Sequence, residues 1–245
     1  DDNGDQSGSA YLFEIRTGKQ TTKLVPSDGA AGDHFGLSVG ISGNITIVGA
    51  PHDDNSDGST GSAYLFDTFT GKQIAKLFPG DGGLHDGFGR CVAISGTTAI
   101  VGAPGHDANG ISYSGAAYVF DTRTGLQTLK LIADDGAAGD RFGNDVAVGG
   151  TIAVVAARLD DDNGTNSGSA YLFNTKTGNQ LAKLLPDDGA AGNQFGGDVA
   201  TDGKTAIVGA QYHRNGVESG SAYLFDITTT RQIAKLVAND ENGSG

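Results

Sequence analysis

A segment of about 53 residues recurs through almost all of the 245-residue chain, and this repeat limits the possible folds more than any other feature. The string Ala-Tyr-Leu/Val-Phe occurs five times, with its tyrosines 52 to 54 residues apart. These tyrosines are Tyr11, Tyr64, Tyr118, Tyr171 and Tyr223. A fixed period of this length is typical of architectures that stack one supersecondary unit. We therefore expect a single domain over residues 1–245, without a linker.

Each repeat contains four short apolar runs, named a, b, c and d, which are separated by turn-forming residues. In the first complete copy they cover residues 35–41, 45–48, 62–66 and 73–78. Run a alternates apolar with small residues, which is the period of a β-strand. The a–b and c–d connections are of hairpin length and contain glycine, and the 41 glycines of the chain disfavour helices. The runs therefore predict an antiparallel meander.

A four-stranded meander at this period predicts an all-β fold, a β-propeller of four-stranded antiparallel blades. A β-sandwich does not need an identical repeat and a β-solenoid rung is far shorter, so both alternatives fit less well. The runs give four complete blades and a c–d half-blade, or five blade positions. The predicted bounds are 1–25 for the half-blade and about 33–78, 86–132, 140–185 and 193–237 for the blades. A half-blade leaves an open edge for strand pairing, so we expect completion by another chain or by further repeats of a longer array.

Two short motifs recur in phase with the strands. Phe-Gly begins run a at residues 35, 88, 142 and 195, and Gly-Ala-Pro ends run b at 49–51 and 102–104, while the later copies read Ala-Ala-Arg and Gly-Ala-Gln. This pairing resembles the FG-GAP repeat of the integrin α-subunit propeller and its bacterial relatives. The resemblance implies a propeller with an extracellular adhesion or interaction role. Integrin calcium loops lie between the two motifs, where this chain has only a tight turn, so those sites do not carry over.

The charge of the chain is strongly acidic and unevenly distributed. Its 29 acidic and 16 basic residues give a net charge of −13, which argues against nucleic acid or an anionic membrane as a partner. The b–c and d–a loops emerge on one face of a meander blade, which we call the loop face. By this assignment the loop face holds 22 of the 29 acids and only three bases, Arg141, Arg158 and Arg214. No apolar stretch is long enough for a membrane helix.

The acidic b–c loops predict Ca²⁺ as a cofactor. Asp53, Asn55 and Asp57 place oxygens at alternate positions before a glycine, as calcium-binding loops do, and Asp160 and Asp162 form a similar loop. The alternative is that these strings are ordinary turns stabilised by side-chain bonds to their own backbone. The d–a loops repeat Asp-Gly-Ala-Ala-Gly-Asp, for which we predict a structural role as Asx turns.

Catalysis finds little support in the sequence. The five histidines fall at unmatched loop positions without a metal-binding spacing, so we predict neither an enzyme nor any catalytic residue. The leading interpretation is an extracellular or cell-surface adhesion or interaction propeller that binds a protein or glycan ligand on its acidic loop face. One alternative is a polysaccharide-binding lectin or polysaccharide-acting enzyme, although the loops offer only Tyr113 and Tyr212 for stacking on sugars. Another is a subunit of an extracellular assembly that self-associates through the half-blade.

Overall fold

The computed structural model describes residues 2–55, 58–212 and 220–238. Within these ranges the chain forms 20 β-strands and a single 3₁₀ turn, Ala108–Gly110. The described ranges contain no helix with the length and apolar content that a membrane crossing requires.

Eighteen of the strands form blades, and the other two form a small ribbon. The half-blade consists of β1 (Ala10–Phe13) and β2 (Gln20–Leu24). Blade 1 consists of β3 (Val39–Ser42), β4 (Ile45–Ala50), β7 (Ser62–Asp67) and β8 (Gln73–Leu77). The ribbon strands β5 (Asp54–Asn55) and β6 (Gly58–Ser59) lie between β4 and β7 in the chain. Blade 2 consists of β9 (Val92–Ser95), β10 (Thr98–Ala103), β11 (Ala116–Asp121) and β12 (Leu126–Leu131). Blade 3 consists of β13 (Val146–Gly149), β14 (Ile152–Ala157), β15 (Ser169–Asn174) and β16 (Gln180–Leu184). Blade 4 consists of β17 (Phe195–Thr201), β18 (Thr205–Ala210), β19 (Ser221–Asp226) and β20 (Gln232–Leu236).

The blades are antiparallel meanders in which each strand pairs with the next strand of the same blade. The register repeats from blade to blade: Tyr64 lies opposite Val48 in blade 1, and Tyr118 lies opposite Val101 in blade 2. This arrangement confirms the predicted all-β propeller of four complete blades and a c–d half-blade. The ribbon β5–β6 was not predicted, because it lies within the b–c loop that the sequence assigned to calcium.

The core lies between successive blades and is organised around the phenylalanine of each Phe-Gly pair. Phe88 contacts Tyr118 and Phe120 edge-on, with ring centroids 5.6 Å and 5.8 Å away. The same cluster includes Ile47 and Leu65 of blade 1, so this phenylalanine sits where two blades meet. Aromatic pairs in this geometry stabilise a core beyond the area that they bury.

The two glycine-containing motifs meet at the inner end of the strands. Within blade 2, the N–H group of Gly89 donates to the carbonyl of Gly102 at 3.1 Å. Between blades, a Cβ atom on Gly49 would lie 2.0 Å from the carbonyl oxygen of Gly89, and one on Gly102 would lie 2.1 Å from that of Gly143. The motif therefore lets strand b of one blade touch the start of strand a in the next.

Both flanks of the described blade stack are uncovered. Val39 of β3 is 58% exposed, whereas its equivalents Val92 and Val146 are 7% and 5% exposed. At the opposite flank, Leu236 is 47% exposed, whereas Leu184 is 1% exposed. These differences follow from position in the stack, because the same residue type is buried or partly buried wherever another complete blade packs against it.

Candidate functional site

The b–c and d–a loops lie side by side on the loop face, as the meander predicts. The N–H group of Arg141 donates to the carbonyl of Tyr113 at 3.1 Å, and that of Gln194 donates to the carbonyl of Asn166 at 3.1 Å. In blade 1, His85 makes the same kind of bond to Ser59 at 2.9 Å. Each d–a loop is thereby fastened to the b–c loop beside it, which gives the face a defined shape.

A network of tyrosine, aspartate and lysine recurs on this face. The Tyr64 hydroxyl lies within hydrogen-bond distance of Asp53 and Asp28, and the Lys76 ammonium contacts Asp28 at 2.7 Å and Asp53 at 3.0 Å. The tyrosine belongs to strand c and the lysine to strand d. The network therefore ties both strands to the first aspartate of a d–a loop.

The predicted calcium ligands take part in these networks where the structure describes them. Asp53 is buried against Tyr64 and Lys76. Asp160 is buried too and accepts hydrogen bonds from Tyr171 and Lys183, each at 2.9 Å. The backbone of Asn55 lies in β5, but its side chain and Asp57 lie outside the described residues.

Lys183 contributes a positive charge at the centre of the second predicted calcium loop. Its ammonium group contacts Asp135 at 2.7 Å, Asp160 at 2.9 Å and Asp162 at 2.6 Å. Burial lowers the pKa of Lys183, but the bonds from the three carboxylates outweigh it and raise the pKa well above its ordinary value. Among the described residues, no three acidic, histidine or cysteine side chains are arranged to hold a metal ion. Calcium binding stays a prediction, because nothing in the structure tests the 53–57 loop as a whole.

The lysines of strand d correct the sequence-based division of charge. Five of them lie in the part of the chain assigned away from the loop face, yet each forms an ion pair with a loop carboxylate. The pairs are Lys23–Asp2, Lys76–Asp28, Lys130–Asp81, Lys183–Asp135 and Lys235–Asp188. The acidic excess of the loop face is therefore smaller than the sequence count implies.

Blade 2 replaces one aspartate of the network by a histidine. His106 occupies the repeat position of Asp53 and Asp160, and its Nδ1 atom lies 2.7 Å from Asp86. Its Nε2 atom lies 2.7 Å from the ammonium group of Lys130. A neutral imidazole that donates from Nδ1 and accepts at Nε2 satisfies both contacts.

The second aspartate of the d–a loops has the structural role that the sequence predicted, with a different bond. Asp33 accepts the N–H group of Ala30 at 2.6 Å, and Asp140 accepts that of Ala137 at 2.7 Å. These bonds reach back three residues, whereas an Asx turn reaches forward by two.

A cationic pocket on the loop face was not predicted from the sequence. It has a volume of about 280 Å³ and is lined by His52, His85, Arg90, Arg141 and Tyr113, among others. The residues come from separate repeats and occupy unmatched positions, so no motif marks them. The pocket becomes visible only when the fold brings the loops of blades 1 and 2 to the start of blade 3.

A polar position on the inner strands also links neighbouring blades. Ser38 accepts the N–H group of Val92 at 3.0 Å, and Asp145 accepts that of Val199 at 2.7 Å. Burial raises the pKa of Asp145 to about 6, although bonds from the Val199 and Val146 N–H groups oppose the shift. This aspartate therefore has a structural partner in the next blade.

Comparison with protein families decides the assignment of the repeat. The family model for the FG-GAP repeat matches residues 19–66, 72–120, 126–173 and 179–225. The chain belongs to the FG-GAP repeat family. In this FG-GAP protein each matched segment runs from strand d of one blade to strand c of the next, so the matches cover all five blade positions.

Two solved structures share the fold of this FG-GAP chain at low sequence identity. Hydrazine synthase of Kuenenia stuttgartiensis is similar over 96% of this chain and 61% of its own, with 16% identity and a TM-score of 0.65. The computationally designed Ika4 protein is similar over 84% of this chain and 99% of its own, with 15% identity and a TM-score of 0.54. A comparison with curated protein sequences finds no match. At these identities the structural likeness concerns the fold alone.

Proposed function

We propose that this FG-GAP propeller is a non-enzymatic interaction module that binds a protein or glycan ligand on its loop face. The observation that carries the proposal is the concave pocket of about 280 Å³, which is built from loops that hydrogen bonds fasten together. Binding sites are commonly concave, largely preformed and placed on loops that a rigid scaffold holds. Membership of the FG-GAP family supports an extracellular or cell-surface location as part of the same proposal.

The histidine that most resembles a catalytic group supports a binding role over an enzymatic one. His106 is bonded to Asp86, as a general base often is to an orienting carboxylate. Its other ring nitrogen faces the Lys130 ammonium, and Tyr118 packs against the ring edge-on. Both nitrogens therefore have partners within the protein, and the ring is buried.

Binding arrays test the proposed function directly. The full chain is applied to arrays of glycans and of extracellular-matrix proteins, and the same polysaccharides are assayed for release of reducing ends. We expect selective, salt-sensitive binding without release of new ends. Folded protein that binds nothing would contradict the interaction role, and cleavage of a polysaccharide would favour the enzyme alternative.

The uncovered half-blade supports a second candidate function, membership of an assembly. A groove of about 490 Å³ lies between β1 and β3, and Tyr11, Val39 and Ile41 line it. We propose that an a–b hairpin of the same repeat type occupies this groove. In blades 1 and 2, strand b pairs along strand c in one register, and strand a of the next blade buries its valine against the pair. Such a hairpin would cover the free edge of β1 and the exposed Val39 together.

A hairpin peptide tests this occupant. A labelled peptide of residues 86–104, the a–b segment of blade 2, is titrated with the full chain. We expect saturable binding that the exposed-site change Val39→Asp weakens at least tenfold without altering the melting temperature. Sedimentation shows whether the chain itself supplies the hairpin by self-association. A monomeric chain that does not bind the peptide would refute the proposal.

A further inference from the structure

We propose that the cationic pocket binds an anionic sugar unit, one that carries a carboxylate or a sulfate group. The pocket is the space that His52, His85, Arg90, Arg141 and Tyr113 enclose on the loop face. This inference rests on the proposed role of the chain as a binding module, and it specifies the class of ligand.

The arginines of the pocket are cations without an internal counter-charge. Within the described residues, Arg90 and Arg141 form no ion pair, although the five strand-d lysines on the same face all do. Both arginine side chains are exposed. In a chain with a net charge of −13, such a group favours an external anion.

Histidines beside the arginines add hydrogen-bond donors to the pocket. The rings of His34 and His52 lie 4.5 Å apart between centroids, and burial together with the charges of His34, Arg90 and His85 lowers the pKa of His52. Neutral imidazoles can donate hydrogen bonds to a sugar hydroxyl or to an oxyanion. Arg158, close enough for its charge to interact with Arg90 and Arg141, has its buried Nε atom without a hydrogen-bond partner among the described residues.

One carboxylate also lines the pocket, but it already has hydrogen-bond partners within the protein. Asp86 is buried and accepts hydrogen bonds from the Gly83 N–H group and from His106, each at 2.7 Å. These bonds hold the Asp86 carboxylate against its own loop and against His106. Arg90 and Arg141 therefore stay available to bind a ligand.

An aromatic side chain favours a sugar over a bare anion. Tyr113 is 48% exposed, and the Arg141 guanidinium lies 5.8 Å from the centre of its ring. The exposed part of the ring thus borders the pocket while the cation stands beside it. A ring that packs on the apolar face of a sugar next to a bidentate arginine fits a saccharide with a planar charged group.

The backbone of the pocket is strained at three of its lining residues. His85, Tyr113 and Arg141 have φ values of +65°, +52° and +57°, in the left-handed region. The value at Tyr113 recurs at Gln6 and Asn166 and that at Arg141 recurs at His34 and Gln194, so only His85 is particular to this pocket. The position of His85 is glycine in the other three d–a loops, Gly32, Gly139 and Gly192. A side chain at a position that favours glycine indicates that the imidazole contacts the ligand, since strain of this kind concentrates at ligand sites.

Calorimetric titration of the full chain at low ionic strength tests the proposal. The probes are trigalacturonate for the carboxylate, a sulfated disaccharide for the sulfate, maltotriose as the neutral sugar and a hexaglutamate peptide as a non-sugar anion. We expect one of the two anionic sugars to bind, with affinity that falls as salt rises, and maltotriose not to bind. Arg90→Gln and Arg141→Gln should each weaken binding about tenfold or more. Arg16→Gln, an equal charge change at an exposed turn of the opposite face, should leave binding unchanged.

The outcomes separate the sugar site from the broader interaction role. Equal binding of hexaglutamate, or binding that both arginine variants retain while they melt like wild type, would overturn the sugar site. Failure of both anionic sugars, with array binding of another ligand intact, would refute this inference and leave the interaction role standing. Failure of both tests would refute both. His85→Gly provides a further check, because it should relieve strain and raise the melting temperature while weakening sugar binding.

Discussion

The ammonium nitrogen of Lys183 lies 2.9 Å from the Oδ2 atom of Asp160, inside the loop that the sequence predicts to bind calcium. The aspartate is buried, and its other contacts come from Tyr171 and the loop backbone. A lysine from strand d thus supplies the positive charge that the clustered carboxylates require. The same relationship recurs between Lys76 and Asp53.

Removal of this lysine charge should destabilise the fold. Lys183→Met leaves a buried carboxylate beside two others, so we expect the free energy of unfolding to fall by roughly 2 to 4 kcal/mol. Urea denaturation measures the change. Lys176→Met, at an exposed turn position of the same blade, is the matched control and should alter stability by less than about 0.5 kcal/mol. Equal effects of the two variants would contradict the structural role of Lys183.

Calcium is expected to stabilise the b–c loop of blade 1, where the sequence places Asp53, Asn55 and Asp57. Binding to the folded state alone raises the melting temperature, so melts with added Ca²⁺ and with EDTA should differ by several degrees. Asp57→Asn should remove most of that difference. Superimposable melts of the wild-type chain would dismiss the calcium prediction for both loops.

Glycine at the end of strand b should matter only where another blade packs on it. A Cβ atom on Gly102 would lie 2.1 Å from the carbonyl oxygen of Gly143, so Gly102→Ala should cost about 1 to 3 kcal/mol or more. A Cβ atom on the equivalent Gly209 would meet nothing closer than 3.7 Å, and alanine there should be neutral or slightly stabilising. Thermal and urea unfolding compare the two variants. A large loss at Gly209 would show that the outer flank of blade 4 is covered in solution.

The stability of the chain should depend on pH through Asp145. Because burial raises the pKa of this carboxyl to about 6, the folded state binds more protons than the unfolded state between about pH 4 and pH 6. Stability therefore falls as pH rises through this window. Above it, the folded state bears the full cost of burying an ionised carboxylate. Asp145→Ser copies the bond that Ser38 makes to Val92 and removes the titrating group. We expect the free energy of unfolding of this variant to exceed that of the wild type by about 1 to 2 kcal/mol at pH 7.5 and to equal it closely at pH 4.

The same substitution at Asp198, the exposed equivalent in blade 4, is the comparison variant, and because the charge of Asp198 helps to raise the pKa of Asp145, its effect should be in the same direction but smaller. Urea unfolding of both variants at the two pH values provides the comparison. A gain of Asp145→Ser that is equal at pH 4 and pH 7.5 would contradict the titration of this group as its cause.

Much of the fold could be predicted from the sequence because the repeat carries local information in every copy. Alternation in run a, glycine in the hairpins and the recurring tyrosines each specify strand, turn and core, and together they predict the number of blades. The small ribbon β5–β6 could not be predicted, because its four residues have no apolar pattern. The burial of Tyr64 but not of Tyr11 could not be inferred either, because the two strings are identical and differ only in what packs on them.

The loop face shows the same division more sharply. The sequence by itself determined that acidic residues concentrate in the b–c and d–a loops, since that follows from loop positions within a meander. Only the tertiary structure decided which charges neutralise one another. Lysines of strand d reach the loop carboxylates, while Arg90 and Arg141 approach each other from different blades and remain unpaired among the residues described. The reason is physical: a Coulomb interaction depends on distance in space, and contacts between repeats about 53 residues apart are fixed by how the blades stack.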